Sequence, residues 1–384
     1  LCMSMSFGGQ AQKELYSSGL RHFEAKQYNK ALEYFYADKY EAGNKDLLIR
    51  RVISNYKIGN LDTAKKDVSI LLAFDAVPDE IYLYIGKIFH AEGTYRKAIE
   101  NYKVYLRKLS SKSDQRKEII HLVKQCGEAL KIKHQEPKAF VDNYGEELNT
   151  IYDEFRMIQS PNFENKYYFT SARESSTGGR RNRKGQKDNV YGSFNSDMYA
   201  IELVDGKWME AEKLNPFINT SRDEIALGFS SDGGVLYYMK GPDYSKGTIY
   251  LDSFAIKQEN TLSESRFESS NRAEIGDVYL QVFTEDIIVF SSNRPGGFGG
   301  YDIYMSFKEN GKWSKAINLG PKINSRYDEV SPFLTNDGLS VYFSSNRIKS
   351  IGGFDVFQSE YDLRNKSWTI PTNLGEPINS SCDD

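Results

Sequence analysis

Ile323-Asn324-Ser325-Arg326-Tyr327-Asp328-Glu329 is one of four copies of a signature that punctuates the second half of the chain. The others are Leu148-Asn149-Thr150-Ile151-Tyr152-Asp153-Glu154, Ile218-Asn219-Thr220-Ser221-Arg222-Asp223-Glu224 and Ile378-Asn379-Ser380-Ser381-Cys382-Asp383-Asp384. Their asparagines stand 70, 105 and 55 residues apart, so the middle interval holds two units of about the last one's length. A degenerate fifth copy, Glu268-Ser269-Ser270-Asn271-Arg272-Ala273-Glu274, falls where that division requires it. A period of roughly 40 to 50 residues, filled with short strands, predicts the blades of a β-propeller.

The unit that begins at Asp328 reads most clearly. Glu329 to Leu334 predicts a strand, Asn336-Asp337-Gly338 a tight hairpin, and Ser340 to Ser345 a second strand with Val341 and Phe343 alternating against Tyr342. Phe354 to Glu360 and Ser367 to Ile370, with Trp368, predict the third and fourth strands. The preceding unit repeats these parts as Val289-Phe290-Ser291-Ser292-Asn293-Arg294, Gly299-Gly300-Tyr301-Asp302-Ile303-Tyr304 and Gly311-Lys312-Trp313. Asn318-Leu319-Gly320 returns as Asn373-Leu374-Gly375. The first unit supplies Tyr168-Phe169-Thr170-Ser171-Ala172-Arg173, Asp197-Met198-Tyr199 and Gly206-Lys207-Trp208. The second, with Leu236 to Met239 and Thr248 to Tyr250, is less faithful.

These residues resemble the TolB-type, WD40-like propeller repeat, whose blades run Asp-Glu, Ser-Pro, Asp-Gly, Tyr-Phe-Ser-Ser, Arg and Asp-x-Tyr. Asp-Gly supplies the positive φ of the hairpin, Gly-Gly the turn before the third strand, and Trp a filling for the outer space between blades. The bland reading of Asp302, Asp355, Arg294 and Arg347 is that they are backbone caps and ion pairs between blades; the residual one is a metal site built from repeated Asp, which no His supports. Four blades and the start of a fifth are present. The resemblance implies six, so the natural product is expected to continue beyond Asp384.

From Gln12 to Ile132 apolar residues recur at helical spacing. Ala31, Ala64 and Ala98 stand in matching surroundings 33 and 34 residues apart. Gly19 and Gly86 precede their Ala by twelve residues, and Phe35 and Tyr102 follow it by four; the second unit carries Val52 where the glycine belongs, which suggests a wider spacing there. This resembles a tetratricopeptide array of three units, capped by a helix near Asp114 to Ile132, with a concave groove offered to a peptide or a neighbouring domain. Residues 133–145, with Pro137 and several charges, read as a linker, and 146–384 as the propeller.

The remaining signals narrow the function. Residues 1–11 read as the tail of a secretory signal, with Gly9 and Ala11 at the −3 and −1 places, and predict export with a mature start near Gln12. Lipidation at Cys2 would want Gly or Ala before it, and Leu1 stands there. No later apolar run reaches the ~20 residues of a transmembrane helix. The formal charge of −3 and pI near 6.0 argue against nucleic-acid binding. Cys126 and Cys382 fall in different predicted domains and form no disulfide framework. All four His, namely His22, His90, His121 and His134, precede residue 135, so the propeller has no imidazole for a catalytic triad or a zinc site. No catalytic, cofactor-binding or metal-binding residue is therefore assigned. Arg180, Arg181, Arg183, Lys184 and Lys187 form the dense basic run, within an insertion in the first blade. A solvated loop is the plain reading, and a docking loop for an acidic partner or lipid headgroup the functional one.

The order of helical repeats, linker and propeller is similar to the amino-terminal part of Bacteroidota-type OmpA-family envelope proteins, including PorE-like components associated with type IX secretion and gliding. That likeness implies a non-enzymatic periplasmic scaffold associated with the outer membrane. Its partners would be outer-membrane or secretion-machinery proteins, and peptidoglycan would be reached only through an OmpA-type domain absent from this sequence. The alternatives are the accessory propeller of an exported dipeptidyl-peptidase or tricorn-type peptidase, and a glycan-binding propeller, the latter favoured if aromatic residues cluster at one mouth of the disc.

Overall fold

The computed structural model describes residues 14–37, 44–132, 139–150, 152–179, 194–230, 232–242, 247–255, 260–272 and 276–384. The helical half consists of α1 (14–24), α2 (Tyr28–Ala37), α3 (Lys45–Lys57), α4 (Leu61–Leu72), α5 (Ile81–Ala91), α6 (Tyr95–Lys108) and α7 (Gln115–Ile132). Consecutive helices pack as antiparallel hairpins, and the three alanines that set the period, Ala31, Ala64 and Ala98, are wholly buried between them. The glycines explain why. A Cβ added to Gly86 would lie 2.5 Å from the ring of Tyr102, and one added to Gly19 the same distance from the ring of Phe35. In the middle hairpin Val52 replaces the glycine, and Val68 stands where its neighbours have an aromatic ring; both valines are buried in one cluster. Two mid-sized side chains thus take the place of a glycine and a ring, so volume is shared differently at that position.

The second half is four antiparallel sheets arranged as propeller blades. Blade 1 contains β1 (Glu154–Gln159), β2 (Lys166–Ser171), β3 (Asp197–Val204), β4 (Lys207–Trp208) and β5 (Glu212–Lys213). Blade 2 contains β6 (Asp223–Phe229), β7 (Val235–Gly241), β8 (Thr248–Ala255) and β9 (Asn260–Arg266). Blade 3 contains β10 (Asp277–Thr284), β11 (Ile287–Ser292), β12 (Asp302–Glu309), β13 (Lys312–Trp313) and β14 (Ile317–Asn318). Blade 4 contains β15 (Glu329–Leu334), β16 (Ser340–Ser345), β17 (Asp355–Asp362), β18 (Ser367–Trp368) and β19 (Thr372–Asn373). The first two predicted strands of blade 4 match residue for residue. The predicted fourth strand is in fact split: Trp368 pairs with the end of β17, and the Asn373 motif returns to pair with its middle. Cores lie between blades, as where Val289 and Ile303 of blade 3 meet Val341, Phe343 and Phe357 of blade 4.

The signature is what joins one blade to the next. Asn324 accepts from the backbone N–H of Ile303 at 2.7 Å and donates to its carbonyl at 2.9 Å, stapling the connecting segment to β12. Asn219 does the same to Met198, and Asn379 to Val356. The Asp crosses backwards too: Asp328 accepts from Tyr301 N, Asp223 from Ser196 N and Asp383 from Phe354 N. The Glu closes its own turn, Glu329 accepting from the N–H and hydroxyl of Ser325. In the degenerate copy, Glu274 lies outside the described residues and Asp277 performs this office, accepting from Arg272 N at 2.7 Å. At Gly352 a Cβ would strike the backbone carbonyls of Cys382 and Ser380, so only glycine lets the blade loop approach the signature this closely.

Two expectations need correction. Arg294 and Arg347 do not bridge blades: each pairs within its own blade, with Asp277 at 2.7 Å and Glu329 at 2.9 Å. Each guanidinium also covers a stacked aromatic pair, Phe290 with Tyr304 and Phe343 with Phe357, so charge and ring contact act on the same cation. Among the three tryptophans, Trp313 reaches a neighbouring blade, donating to Glu268 O at 2.6 Å and packing on Phe267, and Trp368 packs against the core that blades 3 and 4 share, as expected; Trp208 packs on Tyr167 of its own blade. Asp302 and Asp355 are backbone caps as expected.

Blade 2 lacks the arginine. Lys240 occupies the register position of Ser345, and Pro242 follows where blade 4 has Arg347. Burial pushes the Glu224 carboxyl up to about 7, with Asp197 adding to the rise and Lys240 opposing it.

Substituting Gly86→Ala is expected to destabilise the helical half by about 1–3 kcal/mol through overpacking, and Gly86→Val with Tyr102→Val, which copies the middle hairpin, to recover part of that loss in urea titrations. A Gly86→Ala chain as stable as wild type would contradict this packing. Because the folded pKa of Glu224 lies above its ordinary value, stability is lost as pH rises through about 7. Glu224→Gln should therefore gain on wild type between pH 5 and pH 8, by on the order of 2 kcal/mol, in thermal melts at both values.

Candidate functional site at the helix and propeller junction

The helical array does not stand apart from the disc. Its α5, α6 and α7 close over blade 4, where the loop between β16 and β17 carries Ile351-Gly352-Gly353. Ile351 is 0% exposed, seated among Leu83, Tyr95, Ala98, Ile119 and Cys126 of the helices. His90 Nε2 lies 2.8 Å from Ile351 O; since a carbonyl only accepts, Nε2 carries the proton and Nδ1 faces Tyr102 Oη at 3.3 Å. Gln125 donates to Gly352 O and, at 3.5 Å, to Gly353 O. Tyr95 donates to Glu376 at 2.8 Å, Ser381 to Ala91 O at 3.2 Å, and His121 stacks on Tyr327 at 5.3 Å. The surface that α5, α6 and α7 share is thus covered by the chain's own propeller.

Burial governs the charges here. It lowers the pKa of His90, against the pull of the Ile351 carbonyl, and lowers that of His121, with Lys124 and Arg326 adding to the effect. It raises Tyr56 to about 12, with Cys382 and Asp383 contributing. Cys126 is likewise raised to about 12 and is an inert packing thiol.

A cavity of about 610 Å³ opens on the same face, where second strands end and third strands begin. Tyr279, Tyr301 and Phe354 line it together with Asp328, Asp383 and Asp384. Tyr279 and Ser331 of its lining sit at bulges at the third residue of their strands, with φ of 51° and 50° at breaks in the register, and Arg156 holds the same position in blade 1 with φ of 57°. Arg156 donates to Leu280 O at 3.0 Å, linking blades 1 and 3, and burial lowers its pKa to about 10.

The bulges and the His90–Ile351 contact carried no sequence signal. Arg, Tyr and Ser share no property that marks a bulge, and His90 and Ile351 are 261 residues apart. The predicted basic residues Arg180, Arg181, Arg183, Lys184 and Lys187 lie outside the described residues, between Gly179 and Phe194. Among the described residues, no helix is long and apolar enough to cross a membrane.

No protein-family model matches the chain, and no curated protein matches it. Solved structures do. It is similar to a putative TolB from Agrobacterium tumefaciens, at 16% identity and a TM-score of 0.34, over 59% of this chain and 67% of that one. It is similar to a puromycin-hydrolyzing peptidase of Mycobacterium tuberculosis at 13% identity and a TM-score of 0.33, over 60% of this chain and 32% of the other. TolB from Acinetobacter baumannii matches at 13% identity and a TM-score of 0.32, over 60% and 57%. The chain therefore spans between about a third and two thirds of these proteins. At such scores the likenesses carry no argument, and the assignment as a propeller stands on the four sheets themselves.

Docking through neutral His90 and His121 is expected to be fully supported above pH 6.5 and to weaken as pH falls through the lowered values. Small-angle scattering should show a larger radius of gyration at pH 5 than at pH 7.5, and a smaller change in the chain carrying His90→Gln and His121→Gln. Identical responses in the two chains would exclude the histidines as the cause.

Proposed function

We propose that the protein is a non-enzymatic scaffold of the bacterial cell envelope, exported to the periplasm, in which the disc and the docked array present one continuous interaction surface. The observation that carries this reading is where the polar residues of the repeat are used. Asn324, Ser325, Asp328, Glu329 and Arg347, and their counterparts in the other blades, are engaged in hydrogen bonds and ion pairs that hold the framework. What the repeat offers outward is shape and backbone. On the likeness to OmpA-family envelope proteins, the partners are outer-membrane or secretion-machinery proteins of the type IX kind, and the tether to peptidoglycan lies in a domain beyond these residues.

A second reading has an observation in its favour. Tyr279, Tyr301 and Phe354 gather at the mouth of the disc beside hydrogen-bonding carboxylates, an arrangement that suits stacking on a sugar ring.

Cosedimentation with purified peptidoglycan tests the first reading. The complete gene product should be retained, and a chain of residues 12–384 should not. Retention of the shorter chain, abolished by Tyr279→Ala, would replace the scaffold reading with the glycan one.

A further inference from the structure

Blade 3 carries a second copy of the feature by which blade 4 holds the helical array. Aligned on the capping aspartates, Asp302 and Asp355, the loop Gly297-Phe298-Gly299-Gly300 matches Ser350-Ile351-Gly352-Gly353. The backbone is held the same way in both. Phe298 N and Gly299 N donate to Asp302 at 2.6 and 3.2 Å, as Ile351 N and Gly352 N donate to Asp355 at 2.8 and 3.0 Å. Asn318 and Asn373 donate to these same carboxylates. Gly300 N donates to Tyr327 O at 3.0 Å, as Gly353 N does to Cys382 O at 2.8 Å.

The two loops differ in what covers them. Ile351 is wholly buried in the helical socket, while Phe298 is 48% exposed. In blade 4, His90 and Gln125 donate to the carbonyls of Ile351, Gly352 and Gly353. Among the described residues, no donor reaches the carbonyls of Phe298, Gly299 or Gly300. An apolar side chain at the tip, followed by bare carbonyls in a preset conformation, is the half of this junction that the disc contributes. Because the asparagine, aspartate and glycine contacts hold the loop in place beforehand, a partner loses little loop entropy on docking.

We propose that the Phe298 loop of blade 3 is a docking knob for a second helical-hairpin array, supplied by a partner protein, with an apolar socket flanked by imidazole or amide donors. The continuity with the junction on blade 4 sets that chemistry: a flat or acidic partner would leave Phe298 uncovered and repel the carbonyls. This rests on reading the disc as an interaction scaffold, and its failure would leave peptidoglycan retention by the complete protein untouched.

The chain's own array, once released, serves as the probe. Ile351→Asp places a charge in the apolar socket and frees it, and sedimentation equilibrium of this variant should show concentration-dependent self-association that wild type lacks. Adding Phe298→Asp should weaken that association by about tenfold or more. Phe217→Asp, a control at another exposed phenylalanine, should leave it unchanged. If Ile351→Asp does not retain the native far-ultraviolet circular dichroism spectrum, Ile351→Ser is used in the same series. A released variant that stays monomeric, or one whose association survives Phe298→Asp, overturns the proposal.

Discussion

The hydrogen bonds that the signature asparagine and aspartate send back to the previous blade are the interaction on which the disc depends. A β-sheet offers its neighbour side chains from one face, and apolar packing alone tolerates sliding. Asn324 removes that freedom, because it satisfies both the N–H and the carbonyl of Ile303 and so sets the register between blades 3 and 4. Asp328 adds a second anchor at Tyr301, and the Gly-Gly pair allows the backbones close enough for both. Buried amide and carboxylate groups are costly when unpaired. A register that satisfies all of them is therefore strongly preferred over one shifted by a residue.

The same economy explains the variation between blades. Three blades place a guanidinium over a stacked aromatic pair and against the buried acid, which screens a charge that would otherwise be desolvated. Blade 2 has Lys240 in place of a serine and no arginine, and its Glu224 is the signature acid that burial drives to about 7. Blade 1 replaces the asparagine of the outer strand with Lys213, which binds Asp197 at 2.8 Å. These departures keep each buried acid supplied with donors while changing their chemical type.

The junction with the helices follows from what the latch leaves behind. The loop that two glycines draw tight ends in three successive carbonyls that, among the described residues, no group of its own blade engages. In blade 4 the array supplies His90 and Gln125 and covers Ile351. The array and the disc, read from the sequence as successive units, therefore meet at α5, α6 and α7 through the Ile351 loop.

The repeat, its length, the blade count and the strands of the best-formed blades were legible because they arise from period-two alternation and from turn residues whose backbone preferences are local. Asp337 and Gly338 declare themselves within a few residues of their partners, and Gly86 and Tyr102 within one helical hairpin. What tertiary structure alone decided was where the capped segments point and what meets them. Arg347 pairs with Glu329 of its own blade, Arg156 and Tyr279 sit at bulges, and His90 finds a carbonyl 261 residues away. Such contacts depend on the summed rotation of blade upon blade, a quantity to which every residue adds a little and which no short stretch of sequence encodes.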